Sequence, residues 1–239
     1  MGIVLVHGGA FAASCWDLVL PHLQTPTVAV DLPGRGSRPA DLSTLTLDDF
    51  AAAVASDIDA TGWDQVLLVG HSLAGVTLPR VVGLRSDVLA GVVFVACTVP
   101  AQGQSCADAI DADVQDDIDD RMDDPESNEP ISEDFVRRRF GNDLDEEQFA
   151  WMTSRMLGDE AYGVVTEPCD LTGLTDAVPR FWVRLAQDAI VKPTKQDEGI
   201  RNIGGAEVVA LDAGHMAMVG QPEALAAILD DLAGRVRAT

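Results

Sequence analysis

Short runs of apolar, mostly β-branched residues recur through the first part of the chain without polar alternation, and a similar signal returns near its end. Such runs are typical of strands that are buried on both faces of a sheet. They predict strands at residues 3–7, 27–31, 66–69, 92–96, 180–185 and 207–211. Helical spacing predicts helices over residues 15–23, 47–61 and 74–84, and a last helix from Pro222 to about Val236.

Two positions refine the predicted helices. Thr46 directly precedes a helical stretch and Asp49 follows three residues later, which is the pattern of a capped helix start. Pro79 lies inside the helix predicted over residues 74–84. We expect it to kink that helix or to loosen one turn, because proline has no backbone N–H to donate.

The strand pattern stops at about residue 98 and resumes after residue 175, with short acidic helical pieces between. This segment, residues 98–175, is predicted to be an inserted helical cap, and residues 1–97 and 176–239 the core around it. Strands that alternate with helices favour an α/β fold with a mostly parallel, doubly wound sheet. The chain length of 239 residues suits one such core with a cap.

Composition narrows the partners that the chain could have. A net charge of −23 argues against binding to nucleic acid or to an anionic membrane surface. No apolar run is long enough to cross a membrane, and no basic secretory leader precedes the first strand, so we expect a cytoplasmic protein. The scattered cysteines favour buried thiols over a metal site, and the acidic stretch 108–134 favours a solvated surface. No cofactor or metal is expected.

The most informative stretch is residues 70–75, which read Gly-His-Ser-Leu-Ala-Gly at the end of an apolar run. A serine at a sharp turn from strand to helix has its hydroxyl exposed, and small residues two positions before and after it let the strand and helix pack closely. Ala74 stands where a glycine is usual, but alanine is still small. We therefore predict that Ser72 is a nucleophile, with the N-terminus of a helix directly behind it.

A serine nucleophile needs a base, and the base needs an acid to orient it. His215 follows the last predicted strand and Asp188 follows the strand before it, so the chain order is Ser, Asp, His. Asp212 lies too near His215 in sequence to orient its ring. We therefore predict Asp188 as the acid and His215 as the base.

An acyl-transfer site also needs two N–H donors for the developing oxyanion. The residue after the nucleophile, Leu73, supplies one. Gly9, in the glycine-rich loop after the first strand, is predicted to supply the other. His7, at the start of that loop, is expected to brace it.

With these residues in place, the chain resembles the α/β-hydrolase superfamily, in particular the branch of plant methyl-ester esterases and α-hydroxynitrile lyases. The resemblance implies the same nucleophile, acid, base and oxyanion donors. It also bears on the reaction. Such lyases carry a lysine just after the histidine, whereas this chain has Met216 there, like the esterases, which argues against cyanohydrin cleavage. The matching stretches are residues 6–9 (Val-His-Gly-Gly), 15–16 (Cys-Trp), 31–36 (Asp-Leu-Pro-Gly-Arg-Gly), 70–75, 187–190 (Gln-Asp-Ala-Ile) and 214–218 (Gly-His-Met-Ala-Met).

These observations favour a serine hydrolase that cleaves an ester or related acyl bond of a small, apolar or aromatic metabolite. Two alternatives stay open, because a fold does not settle a function. One is a non-hydrolytic enzyme of specialised metabolism on the same scaffold, and the other is a receptor-like protein that binds a ligand. The expected partner is a small-molecule substrate, and a homodimer is compatible with the sequence. The predicted pocket lies between sheet and cap and is lined by Trp16, Trp151, Met152, Met156 and Met216.

Overall fold

The computed structural model describes residues 1–111 and 132–237. Its centre is a single parallel sheet with the strand order β2-β1-β3-β4-β5-β6. The predicted strands are confirmed to within a few residues, and the sheet is parallel throughout. The strands are β1 Gly2–Val6, β2 Thr27–Val30, β3 Val66–His71, β4 Leu89–Val95, β5 Arg180–Leu185 and β6 Glu207–Leu211.

Helices and short 3-10 turns connect these strands. The 3-10 turns are Ala13–Trp16, Leu20–His22 and Ser72–Val76. The helices of the described residues are α1 Leu47–Thr61, α2 Leu78–Arg85, α3 Cys106–Ala109, α4 Glu133–Arg139, α5 Glu146–Thr153, α6 Tyr162–Thr166, α7 Pro193–Asn202, α8 Ala217–Gly220 and α9 Pro222–Arg237.

Both faces of the sheet are covered, as a doubly wound arrangement requires. One apolar cluster joins β1, β3 and β4 to α1 and α2 and continues to Trp182 of β5. The other joins the opposite face of the same strands to α9 and to α4 and α5. Because every residue of β1 and β3 is buried, continuous apolar runs mark these strands in the sequence.

Two predicted helices are wrong in detail. Residues 15–23 form parts of two 3-10 turns instead of one helix, and Pro21, which has no N–H to donate to a preceding turn, lies at the start of the second. The segment 74–84 divides into a 3-10 turn and α2, with Pro79 in the first turn of α2, where its missing N–H costs nothing. The capped start at Thr46 is confirmed, since its side chain accepts from the Asp49 N–H and the Asp49 carboxylate accepts from the Thr46 N–H.

The short helices α3 to α6 lie between β4 and β5, and the described residues of that segment contain no strand. Most of the acidic stretch 108–134 falls outside the described residues. Within residues 1–111 and 132–237, no helix is both long and apolar enough to span a bilayer. The division into core and cap, the cytoplasmic location and the homodimer stay predictions.

Candidate active site

The loops after β1 and β3 meet at the point where the strand order reverses, since β1 has β2 on one side and β3 on the other. In open parallel sheets this is where the carboxyl ends of strands leave a crevice for a ligand. Ser72 begins the turn after β3 with a φ of 52°, a left-handed conformation that a non-glycine residue adopts only under constraint. A Cβ on Gly70 would lie 2.9 Å from the Ala74 Cβ, which explains the small residues on either side of Ser72.

Three side chains from three separate loops form one hydrogen-bonded chain at this crevice. His215 Nε2 lies 3.0 Å from Ser72 Oγ, and His215 Nδ1 lies 2.8 Å from Asp188 Oδ2. Since a carboxylate only accepts, Nδ1 carries the proton and Nε2 is left to accept from the serine hydroxyl. This is the arrangement that a general base requires.

Asp188 is held in place from behind. Its side chain is buried, and its second oxygen accepts from the backbone N–H groups of Ile190 and Val191 at 2.9 and 2.8 Å. These bonds offset the cost of burying a carboxylate and fix its orientation. Asp212, the nearer acid in sequence, instead accepts a hydrogen bond from the Gln187 side chain.

Two buried histidines brace the surrounding loops. The His71 ring lies 4.5 Å from the His215 ring, and its Nε2 donates to the His215 carbonyl at 3.0 Å. Burial, reinforced by the nearby His215, holds the pKa of His71 well below its usual value, so that ring is neutral. His7 accepts from the Leu32 N–H and donates to the Gly8 carbonyl, and burial lowers its pKa as well.

The loop after β1 packs directly on the Ser72 turn. A Cβ on Gly8 would come within 2.8 Å of the Ser72 Cβ, and one on Gly9 within 3.2 Å of the Leu73 side chain. In this loop Ala10, whose φ is 60°, donates to Glu160 and accepts from Leu157, whereas the Gly9 N–H makes no hydrogen bond within the described residues. Leu73 lies in the first turn after β3, where N–H groups have no partner within the turn.

The predicted pocket residues fall into two groups. Trp16, Met152 and Met216 are fully buried, and Trp16 packs its edge against the His71 ring. Trp151 and Met156 are partly exposed and pack against the same apolar cluster, with the Arg155 guanidinium 3.7 Å over the Trp151 ring. The assignment of these residues to a substrate pocket stays a prediction.

The structure also brings residues to the site that sequence reasoning does not select. The Phe140 ring lies 5.6 Å from the His215 ring and contacts Phe11 and Phe135. Asp143 accepts from the Gly214 N–H at 2.6 Å, next to His215. Nothing in the sequence ties these cap residues to the histidine, because they follow neither a strand nor a regular helical spacing.

The cysteines lie away from the surface and are not arranged as nucleophiles. The four cysteines are buried, and burial raises the pKa of Cys106 to about 12 and that of Cys169 to about 11. Such thiols stay protonated at neutral pH and are poor nucleophiles. Within the part of the chain that the structure describes, no group of three His, Cys, Asp or Glu side chains is placed to hold a metal ion.

Comparison with known proteins shows the family to which the chain belongs. The model of the alpha/beta hydrolase family matches residues 3–228, which is most of the chain. The chain belongs to this family. As an α/β hydrolase it is similar to Methylesterase 7 of Arabidopsis thaliana, with 26% identity over 97% of this chain and 96% of the relative. A shorter match joins it to the pyrethroid hydrolase of Sphingobium wenxiniae, 31% identical over 42% of this chain and 37% of the relative.

Among solved structures, an extracellular α/β-hydrolase from a Paenibacillus species superposes with a TM-score of 0.85 at 20% identity, covering 97% of this chain and 98% of the other. That likeness shows the shared fold. The named relatives are methylesterases and a hydrolase, and together they place the chain among the esterase-type α/β hydrolases.

Proposed function

We propose that this α/β hydrolase cleaves carboxylic esters through a covalent acyl-enzyme on Ser72. His215 takes the proton from Ser72 Oγ as that oxygen attacks the ester carbonyl, and returns it to the departing alcohol. Asp188 orients the imidazole and stabilises the imidazolium. The N–H groups of Gly9 and Leu73 hold the oxyanion, and water, activated by His215, then releases the acid.

The observation that carries the proposal is the continuous path from Asp188 through His215 to Ser72, with contacts of 2.8 and 3.0 Å. The strained φ of Ser72 supports it, because a left-handed serine between a strand and a helical turn presents its hydroxyl to the crevice. A buried serine in ordinary core packing needs neither feature.

The proposed substrate is a small ester with an apolar or aromatic portion. Phe140, Phe11 and Phe135 form an aromatic cluster beside His215, and aromatic rings favour apolar or aromatic ligands. The relatives named for methylesterase and pyrethroid hydrolase activity support ester cleavage. Met216, where the lyases that the chain resembles have lysine, does not supply the positive charge that would stabilise departing cyanide.

Rapid-mixing kinetics with a short p-nitrophenyl ester test this proposal. We expect a burst of p-nitrophenol equal to the enzyme concentration, followed by slower turnover, because acylation precedes hydrolysis of the acyl-enzyme. Ser72→Ala is expected to lose at least about 10⁴-fold in kcat, while Ser86→Ala, at the exposed end of α2, keeps wild-type rates. Turnover that survives in Ser72→Ala contradicts the proposal.

The same assay separates the two alternative functions. A wild-type protein that reacts with a fluorophosphonate at Ser72 but turns over no ester points to a non-hydrolytic enzyme on this scaffold. A protein that neither reacts nor turns over points to a ligand-binding role, which a bound native ligand would support.

A further inference from the structure

A segment of the cap holds the loop that carries the proposed oxyanion donor Gly9. The carboxylate of Glu160 accepts from the Ala10 N–H at 2.7 Å, and the Leu157 N–H donates to the Ala10 carbonyl at 2.8 Å. Both backbone polar groups of Ala10 are therefore bound by residues that are about 150 positions away in sequence.

Ala10 needs such support because its backbone is strained. A φ of 60° puts it in the left-handed region, which residues other than glycine rarely adopt. Such a conformation persists only where the surroundings determine it. Here the surroundings include the two hydrogen bonds from Leu157 and Glu160, which engage the peptide groups on both sides of Ala10.

Gly9 lies close to both Glu160 and the Ser72 turn. A Cβ at this position would meet Glu160 Oε2 at 2.9 Å and the Leu73 side chain at 3.2 Å. A small cavity beside it is lined by both of these residues and by Arg35. Glu160 therefore lies against the residue that carries the donor and binds the peptide group that follows it.

Arg35 fixes the carboxylate of Glu160. This arginine follows β2, its side chain is 2% exposed, and it binds Glu160 Oε1 at 2.9 Å. It also binds the Asp159 carboxylate and carbonyl, each at 2.7 Å. A buried guanidinium neutralises a carboxylate that would otherwise oppose negative charge developing at the oxyanion.

We propose that Glu160 is a positioning residue that fixes the oxyanion loop through Ala10, with Arg35 holding and neutralising it. The inference rests on the proposed function, since it assigns Glu160 to the same site. Its effect is exerted on the transition state: a displaced Gly9 N–H weakens the hydrogen bond to the oxyanion more than it weakens substrate binding.

The test compares Glu160→Ala with Asp159→Asn, a control that changes the neighbouring partner of Arg35 but makes no contact with Ala10. We expect Glu160→Ala to lower kcat roughly 10- to 100-fold with little change in KM, and Asp159→Asn to stay near wild type. When the serine Oγ adds to the carbonyl carbon of a trifluoromethyl ketone, the product is a hemiketal oxyanion. This inhibitor is expected to bind Glu160→Ala more weakly by the same factor. Binding of the carboxylic acid product is expected not to change. Equal losses in both variants, or an unchanged kcat in Glu160→Ala, overturn the inference.

Hydrogen exchange of the peptide covering residues 7–12 provides a readout that does not depend on activity. We expect faster exchange in Glu160→Ala and wild-type exchange in Asp159→Asn, because only the first frees the Ala10 N–H. Glu160→Gln keeps the side-chain volume and an acceptor oxygen, so it serves if the alanine variant does not fold, with a smaller loss in kcat. An inactive wild-type protein contradicts the proposed function. Unchanged exchange in Glu160→Ala overturns the inference that Glu160 fixes the loop through Ala10.

Discussion

The two sides of the candidate site are built in different ways. On the sheet side, Ser72, Asp188 and His215 each follow closely after a parallel strand, so strand register brings them together. On the cap side, Phe140 and Glu160 come from short helices and loops and reach the site through individual contacts. The sheet side supplies the residues of the proposed reaction. The cap side supplies the ring beside His215 and the hydrogen bond that Glu160 accepts from Ala10.

The difference has a consequence for mutation. A change on the sheet side removes a group that takes part in the proposed reaction, so it is expected to lower kcat. A change on the cap side alters packing around the substrate or the position of a loop, so its effects are expected to be smaller and to fall on KM as well.

Asp188→Asn tests the sheet side and carries the largest expected effect. The amide can donate to His215 Nδ1, which stabilises the wrong tautomer and leaves Nε2 protonated. We expect kcat to fall by roughly 10³- to 10⁴-fold with KM little changed. Asp212→Asn is the matched control, because that carboxylate binds Gln187 and not His215. Comparable losses in both variants would contradict the assignment of the acid.

Phe140→Ala tests the cap side. Removing the ring beside His215 takes apolar surface from the proposed pocket, and we expect KM for an aromatic ester to rise about 10-fold, with kcat reduced less. Phe135→Ala removes a ring of the same cluster that contacts Phe140 but is not itself paired with the His215 ring, so a smaller rise in KM is expected. A lower kcat with an unchanged KM in Phe140→Ala would contradict the expected difference between the two sides of the site.

His71→Gln tests the buried histidine that packs against His215, and it carries the smallest expected effect. The folded-state pKa of His71 lies below its unfolded value, so the unfolded chain binds an extra proton when the pH falls below about 6.5. Through this group, the free energy of unfolding of the wild type therefore falls by about 1 kcal/mol for each pH unit of acidification below that value.

Chemical denaturation between about pH 7 and pH 5.5 measures this effect. The free energy of unfolding of His71→Gln is expected to fall less over that range than that of the wild type. His7 acts in the same direction and remains in the variant. An identical pH dependence of stability in the wild type and in His71→Gln would contradict the account.

Sequence patterns predict the sheet side well because the information there is local. The apolar runs mark the strands, and each candidate residue of the path lies in the loop or turn that follows one of them. Small residues at Gly70 and Ala74 are visible in the sequence and are required by close packing around Ser72. The order of serine, aspartate and histidine then limits the choice of partners.

The cap side is hidden from the sequence for a physical reason. The contact between Ala10 and Glu160 joins residues 150 positions apart, and neither residue type at these positions implies the other. The helices there are short, so no apolar periodicity shows which side chains face the site. Apolar spacing also misleads at residues 15–23. It predicts one helix there, but the chain forms two short 3-10 turns, with Pro21 in the second.

Active-site labelling of the intact protein with a fluorophosphonate tests the central claim most directly. A serine becomes phosphonylated only when its hydroxyl is activated, so mass spectrometry should show one adduct per chain. Peptide mapping should place that adduct on Ser72. Labelling should disappear in Ser72→Ala and slow strongly in His215→Ala, which removes the base. An unlabelled protein, or an adduct on any residue other than Ser72, would contradict the account.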